Sequence, residues 1–380
     1  MPDPIYLDSN ATTPIAAEVA AAMRPFLEQG WGNPSSSHPF GLRARAAIDH
    51  ARGQVAGLLG CAVDELVFTG GGTEANNMAI QGVAYAQRAR GRHIVTSAVE
   101  HPAVGRVCAW LAGLGWEITT VGVDAQGRVD PAAVAAALRP DTALVSVMHA
   151  NNEVGAIQPI AEIAALARER GVIVHCDGAQ AVGKIPALMD ALGVDLYSVA
   201  GHKLYAPKGV GALYIRRGTP LTKVFHGADH EADRRPGTEN TLGIVGLGAA
   251  AALAADLQPR AAHMLAMRER LHRGILAGVP DAMLNGPPQL RLPNTLSLAF
   301  PGVQATAVLH ALASEVAASA GAACHAERVS VSATLEAMGV PEHLALGTIR
   351  FSTGAGSAPA AMDAAAAAVA RVVRQLRGAC

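Results

Sequence analysis

The chain has 380 residues, of which 51% are hydrophobic and 16% are charged. This composition excludes a mainly disordered chain, and the length allows two domains or one large α/β domain. With 30 Lys and Arg against 31 Asp and Glu, the net charge is −1, so no overall positive charge exists to hold a nucleic-acid backbone or an anionic membrane surface.

The cysteines and the N-terminus predict a reduced compartment. The five cysteines are odd in number and scattered, without a C-x-x-C pair or a zinc-type Cys/His spacing. The first residues lack the basic and apolar regions of a signal peptide, and the apolar run at 242–255 is shorter than the ~20 residues that a membrane-spanning helix needs. We expect a cytoplasmic protein without a disulfide framework, bound metal, nucleic-acid partner or membrane segment.

Short β-branched runs alternate along the chain with longer Ala- and Leu-rich stretches of helical period. This alternation predicts βαβ units, and therefore a mostly parallel sheet with helices on both faces. Helices are predicted at 43–59 and near the C-terminus, where Val369, Val372, Val373 and Leu376 form one stripe. The predicted strands are 66–69, 93–97, 143–149, 172–176, 196–199 and 211–215.

The pattern changes after about residue 255. A charged helix at 264–276 and a Pro-flanked run at 292–301 precede further helices and short strands. We predict a large α/β domain at 15–255, and a smaller α+β domain formed by 1–14 and 256–380.

Polar residues follow the predicted strands at their carboxyl ends, where ligands of open α/β sheets bind. Gly70–Glu74 is a Gly-rich turn that suits a phosphate, although such a turn also occurs simply as a tight turn. Asp177 and Lys203 follow two successive later strands. Singly, they are explained as a helix cap and an exposed cation, but together with the turn they favour pyridoxal phosphate. This cofactor needs a lysine for its Schiff base, an acid beside its ring nitrogen and a phosphate site.

Motifs spread over nearly the whole chain resemble the cysteine desulfurases and selenocysteine lyases, which are class V, fold-type I pyridoxal-phosphate enzymes. The resemblance implies a fold-type I transferase, and a homodimer with its active site at the subunit interface. The matching segments are 6–14, 31–36, 72–74, 99–101, 151–153, 175–180, 201–203, 235–240 and 320–324.

The resemblance also implies roles around the cofactor ring. Lys203 would form the Schiff base, and Asp177 would pair with the pyridine nitrogen. Gln180 would donate a hydrogen bond to the ring hydroxyl oxygen, and His101 would stack on the ring and act in proton transfer. The residues expected to hold the phosphate are Gly72, Thr73, His202 and, from the neighbouring subunit, Thr238.

For the substrate, the resemblance places Asn152 and Arg350 at the carboxylate and makes Cys324 the nucleophile that forms a persulfide. The reaction would convert L-cysteine to L-alanine and pass sulfur to an acceptor protein. Small residues before Cys324 and a polar stretch after it predict an accessible loop, whereas Cys61, Cys108 and Cys176 are expected to be small buried residues. His325 either lowers the pKa of the Cys324 thiol or is simply solvated.

Four positions depart from the pattern of housekeeping desulfurases. Ala200 replaces a serine before Gly-His-Lys, Ala228 and Asp229 occupy glycine positions, and Ala355 replaces an arginine. Residues 291–295 and 321–325 look more like selenocysteine lyases. A dedicated selenocysteine lyase, an aminotransferase or β-lyase without persulfide chemistry, and a non-catalytic subunit are therefore the alternatives.

Overall fold

The computed structural model describes residues 3–325 and 328–378. Up to residue 254, most helices alternate with single strands, as the sequence pattern predicts. In chain order these elements are β1 (Ile5–Tyr6), α1 (Ala17–Glu28), α2 (Pro39–Leu59), β2 (Leu66–Thr69), α3 (Gly72–Gln87), β3 (His93–Ser97), α4 (Pro102–Gly113), β4 (Glu117–Val121), α5 (Pro131–Ala137), β5 (Thr142–Ser146), α6 (Ile160–Glu169), β6 (Ile173–Asp177), α7 (Met189–Leu192), β7 (Leu196–Ala200), β8 (Gly211–Ile215), α8 (His230–Asp233) and α9 (Thr241–Ala254).

The large sheet has the strand order β2-β8-β7-β6-β5-β3-β4, and only β8 runs against the other strands. This confirms the predicted mostly parallel sheet, with strand ends displaced by up to three residues. Strand β4 was not predicted. It pairs only with β3 at the sheet edge, and most of its side chains are partly or fully exposed, so it lacks the continuous apolar run of the central strands.

The two faces of this sheet bury different residues, because successive side chains on a strand point to opposite sides. On β6, Ile173 packs in the core beneath α3 and α4, whereas Val174 and Cys176 pack in the core on the other face. The same alternation directs Asp177, the last residue of β6, to the α3 face.

The C-terminal part of the chain forms a second core around an antiparallel sheet of order β12-β15-β10-β9, against which α10 and α14 pack. Its elements are α10 (Leu257–Gly278), β9 (Met283–Asn285), β10 (Thr295–Ala299), α11 (Ala305–Leu312), β11 (Val316–Ala317), β12 (Ser319–Ala320), β13 (Ala322–His325), β14 (Arg328–Val331), α12 (Ala333–Ala337), α13 (Glu342–Ala345), β15 (Thr348–Ser352) and α14 (Pro359–Gly378).

The N-terminal segment connects the two cores. Strand β1 pairs with β11, and Leu7 is buried in the C-terminal core. A few residues later, the Thr13 N–H donates to the His202 carbonyl at 2.9 Å. Residues 8–13 therefore run between the two cores, beside the carboxyl ends of the parallel strands. The domain boundaries given above, 15–255 for the large domain and 1–14 with 256–380 for the small one, remain predictions from the sequence.

Within the described residues, no single helix is long and apolar enough to cross a membrane. Only α9 and α10 taken together, bent by 81°, reach the required length and composition.

Candidate active site

A cavity of about 1270 Å³ opens at the carboxyl ends of the parallel strands. This is the position at which ligands bind to open α/β sheets. The structure brings most of the predicted site residues together there. Those lining the cavity are Gly72, Thr73, His101, Asn152, Asp177, Gln180, His202, Lys203 and Arg350.

Lys203 is the last residue of a 3₁₀ turn, Gly201–Lys203, that follows β7. Its Nζ donates to the carbonyl oxygens of Ala11, at 2.7 Å, and Asn10. Burial lowers the pKa of the Lys203 amine to about 8, and the positive charge of Arg350 acts in the same direction. A substantial fraction of this amine is therefore neutral near pH 8, which is the form that attacks a carbonyl carbon.

Asp177 is held as an acceptor at the end of β6. Its Oδ2 accepts from Asn76 Nδ2 at 2.7 Å, and its Oδ1 accepts from the Ala179 N–H at 2.9 Å. Asn76 is buried on α3, on the face toward which Asp177 points. This arrangement presents a fixed carboxylate to the cavity one strand away from Lys203.

The Gly-rich turn between β2 and α3 forms one side of the cavity. Gly71 has φ of 146°, a conformation that a side chain would strain, and the following residues begin α3. The first N–H groups of a helix have no partner within it, so they are available to an anion. Glu74 supports the turn, because its Oε2 accepts from the Gly70 N–H at 2.9 Å and its Oε1 from Arg235 Nε at 2.8 Å.

His202 and Ala200 complete this side. Burial, together with the charge of Lys203, lowers the pKa of the His202 imidazole to about 4, so the ring is neutral at pH 7. Its Nδ1 lies 3.2 Å from Thr12 Oγ1. A Cβ at Gly72 would lie 3.1 Å from the Ala200 Cβ, so the helix start packs closely on the end of β7.

His101 caps α4, with its Nδ1 accepting from the Ala103 N–H at 3.1 Å. Burial lowers the pKa of the His101 imidazole against the opposing effect of Asp177. With Nδ1 accepting, the neutral ring carries its proton on Nε2. The preceding Glu100 is buried, which raises its pKa to about 8, and its Oε1 accepts from Ser97 Oγ and from the Met148 N–H. Glu100 thereby ties the His101 loop to the loop after β5.

The C-terminal part of the chain contributes a positively charged side chain, Arg350, to the cavity. Arg350 on β15 donates through Nη1 to the Asn152 carbonyl at 3.0 Å and through Nη2 to Asp8 Oδ1 at 2.7 Å. Its Nε is buried without a hydrogen-bond partner among the described residues. The two bonds hold the guanidinium in one orientation, and Nη1 and Nη2 each keep a second N–H for a carboxylate.

The backbone of Cys324 lies on β13, which pairs with β14 as an antiparallel hairpin. The expected loop is therefore a strand, consistent with the β-branched Val329 and Val331 opposite it. The side chains of 322–330 lie outside the described part of the structure. The effect of His325 on the pKa of the Cys324 thiol therefore stays a prediction. The hairpin is attached at both ends, because the Gly321 N–H donates to the Thr348 carbonyl at 2.7 Å and Ser332 Oγ donates to Glu153.

Thr238 does not line the large cavity of its own chain. It lines a separate cavity of about 160 Å³ with Arg235 and Glu239. Of the other cysteines, Cys108 and Cys176 are buried as expected, whereas Cys61 is only half-buried. No group of three or more potential metal ligands occurs in the ranges 3–325 and 328–378.

The loop carrying the departures at 228 and 229 takes an unusual conformation. Left-handed backbone occurs at Glu231, Ala232 and Asp233, with φ of 50°, 55° and 62°, and not at 228 or 229. The Glu231 carboxylate compensates by accepting from both terminal nitrogens of Arg52 and from the Phe68 N–H at 2.8 Å.

Sequence reasoning missed several side chains that position these groups. They are buried or partly buried and hydrogen-bond to residues far away in the sequence, and they are Asp8, Asn10, Asn76, Glu100 and Lys184. The available signal was weak: Asn76 lies one helical turn after Gly72, and Asp8 and Asn10 lie in a matching motif whose individual residues had no assigned role.

Comparisons with known proteins agree with this geometry. The family described as Aminotransferase class-V matches residues 5–361. A cysteine desulfurase IscS of Dictyoglomus turgidum is 45% identical over 375 residues, covering 98% of this chain and 95% of that protein. Among solved structures, a NifS-like protein has 33% identity and a TM-score of 0.90, covering 99% of both chains. The structure described as SspA in complex with cysteine has 33% identity and a TM-score of 0.83, covering 92% of this chain and 99% of that one.

Proposed function

This chain belongs to the class V aminotransferase family and is an enzyme that removes sulfur from L-cysteine. We propose that it does so with pyridoxal phosphate bound in the cavity at the carboxyl ends of the parallel strands. The observation that carries this proposal is the convergence of Lys203, Asp177 and the Gly70–Glu74 turn on one cavity.

The residues present fit this cofactor. The N–H groups at the start of α3, with Thr73 and neutral His202, would hold the phosphate. Asp177, kept in place by Asn76, would hold a proton on the ring nitrogen, and Gln180 would donate to the ring hydroxyl oxygen. When bound, pyridoxal phosphate withdraws electrons from the substrate Cα.

The chain's own groups then divide the work. Lys203 Nζ, with its pKa lowered to about 8, would act as the base that accepts the proton from the substrate Cα. Arg350 and Asn152 orient the substrate carboxylate. His101, which uses Nδ1 to accept from the Ala103 N–H, would exchange the proton on its Nε2 with the substrate.

We assign the sulfur-accepting nucleophile to Cys324. Its thiolate attacks the substrate sulfur, so the sulfur moves to Cys324 as a persulfide, and the remaining three-carbon fragment is protonated to alanine. Support comes from the backbone, because β12 pairs with β15 at Arg350 only five residues before Cys324, and five extended residues reach at most about 17 Å. L-Selenocysteine as a second substrate, and a protein acceptor for the sulfur or selenium, belong to the same proposal.

We also propose a cytoplasmic homodimer. Thr238 lines a smaller cavity that shares Gly70 and Gly209 with the one that would hold the phosphate, and in the proposed dimer the Thr238 of a second copy of the chain would contact the phosphate, as the family resemblance implies. Sedimentation of the loaded enzyme should give twice the chain mass, and a monomer with full activity would contradict this assignment.

The test of the cofactor assignment is chemical trapping. The loaded protein, reduced with borohydride and digested, should carry the cofactor on the peptide that contains Lys203. Lys203→Ala should lose both the adduct and alanine formation from L-cysteine. An adduct on the neighbouring Lys184 in the wild-type chain, or turnover that survives in Lys203→Ala, would overturn the assignment.

A further inference from the structure

Lys184 is a second lysine close to the proposed cofactor site, and none of the roles above uses it. It is 5% exposed and does not line the cavity. Its Nζ donates to Gln180 Oε1 at 2.8 Å and reaches Asn10 Oδ1 at 3.4 Å. Both acceptors are neutral amide oxygens, so neither of them carries a negative charge that would compensate a protonated Lys184.

The charged groups that face Lys184 are Lys203 and Arg350, and both are cations. Burial, reinforced by these two charges, lowers the pKa of the Lys184 amine to about 7. Near pH 8 the group is mainly a neutral amine, which still has N–H bonds to donate. Burying an amine is costly unless it is hydrogen-bonded, and Lys184 meets this requirement through its contacts with Gln180 and Asn10.

The hydrogen bond from Lys184 bears on the orientation of the Gln180 side-chain amide. A side-chain amide can present either its oxygen or its NH₂ group to a neighbour. Here Oε1 faces the donating Lys184 Nζ, and Nε2 donates to the Asn10 carbonyl at 3.0 Å. The same Asn10 carbonyl accepts from Lys203 Nζ. The Gln180 NH₂ group is thereby directed toward the side on which Lys203 lies.

We propose that Lys184 is a positioning residue that orients the Gln180 amide, so that its NH₂ group is presented to the cofactor ring oxygen. This inference rests on the proposed function. It assigns Lys184 no contact with the substrate or the cofactor, and its whole effect on the site passes through Gln180.

The experiment is a double-mutant cycle on Lys184→Met and Gln180→Ala, read as the dissociation constant of pyridoxal phosphate from each refilled apoprotein and as the position of the visible absorption band. Lys184→Met should weaken cofactor binding by about three- to tenfold, the range of one hydrogen bond, and should shift the band. In the Gln180→Ala background the same substitution should change binding less than twofold. Lys223→Met, which removes an exposed lysine paired with Asp233, is the matched control and should leave both readouts unchanged.

Equal losses in the two backgrounds, or no loss in either, would overturn the role of Lys184. Lys184→Gln is measured alongside, because it keeps an N–H donor if the Met variant does not fold. The cofactor dissociation constant of Lys184→Gln should stay within threefold of the wild-type value. If Lys184→Met folds, an equal loss of binding in the two variants would also overturn the role. If Lys184→Met does not fold, a loss of tenfold or more in Lys184→Gln would do so. If Gln180→Ala binds the cofactor as tightly as wild type, the proposed role of Gln180 fails first, and with it the inference.

Discussion

Arg350→Lys tests how the substrate carboxylate is bound. The guanidinium uses Nη1 for the Asn152 carbonyl and Nη2 for Asp8 Oδ1, and each of these two nitrogens keeps a second N–H to donate. Lysine keeps the positive charge, but its single nitrogen cannot hold both protein partners and also present a fixed donor to the substrate.

The expected loss is that of one charged hydrogen bond, about 1.5–3 kcal/mol, which corresponds to roughly a 12- to 160-fold fall in kcat/KM. Most of the fall should be in KM, because the carboxylate is bound similarly in the ground state and the transition state. The ion pair with Asp8 increases the expected loss of activity. A lysine at 350 that moves toward the substrate leaves the Asp8 carboxylate without a positively charged partner, and the Asp8 side chain is only 19% exposed.

The assay is steady-state alanine formation from L-cysteine, with circular dichroism to verify folding. Arg270→Lys is the matched control, since Arg270 pairs with Asp363 on the C-terminal helices and the two side chains are 46% and 55% exposed. Exposed pairs contribute little, so this variant should match wild type. Arg350→Lys within twofold of wild type would refute the carboxylate assignment and direct the search to another cation.

Four further predictions follow from single sites. Asp177→Asn should fold and bind cofactor but lose roughly 10²- to 10³-fold in kcat, the loss typical of removing one electrostatic stabiliser, and near-native turnover would count against a charged ring partner. Ala232→Gly should raise the free energy of unfolding by about 0.5–1 kcal/mol in a denaturant titration, because φ of 55° strains alanine, whereas a decrease would show that the turn is unstrained. In the apoprotein, acylation of Lys203 measured by mass spectrometry should have its midpoint near pH 8, and a midpoint near 10.4 would contradict the lowered pKa. The contribution of Lys203 to the free energy of unfolding, measured as the difference between wild type and Lys203→Met, should rise with pH between about 8 and the ordinary lysine pKa of about 10.4, because over that range this lysine binds a proton in the unfolded chain only. Cys324→Ala should abolish sulfide release from L-cysteine yet leave measurable alanine formation from L-selenocysteine, because a selenol leaves more easily, and Cys108→Ala should change neither; full desulfurase activity without Cys324 would favour the β-lyase alternative.

The strands and the cavity residues follow from local pattern. A strand that is buried on both faces favours a mainly apolar run, so β2, β3 and β8 have the bounds predicted from the sequence. Because parallel strands end at one edge of a sheet, the polar residues after them, including Asp177 and Lys203, meet in one cavity. Strand β4 escaped prediction because an exposed edge strand has no such run.

The partners of these residues depended on packing between distant segments. Arg350 meets Asp8 across 342 residues of chain, and Lys203 reaches Asn10 across 193. No periodicity connects such positions, because their contact arises only when β15 and the N-terminal segment pack against the ends of the large sheet. The sequence by itself determined the order of the elements and the chemical types at the strand ends, since both depend on neighbouring residues. The tertiary structure alone decided which buried donors and acceptors, such as Lys184 and Asn76, hold those groups in place, since a buried polar atom must find its partner wherever the fold brings one.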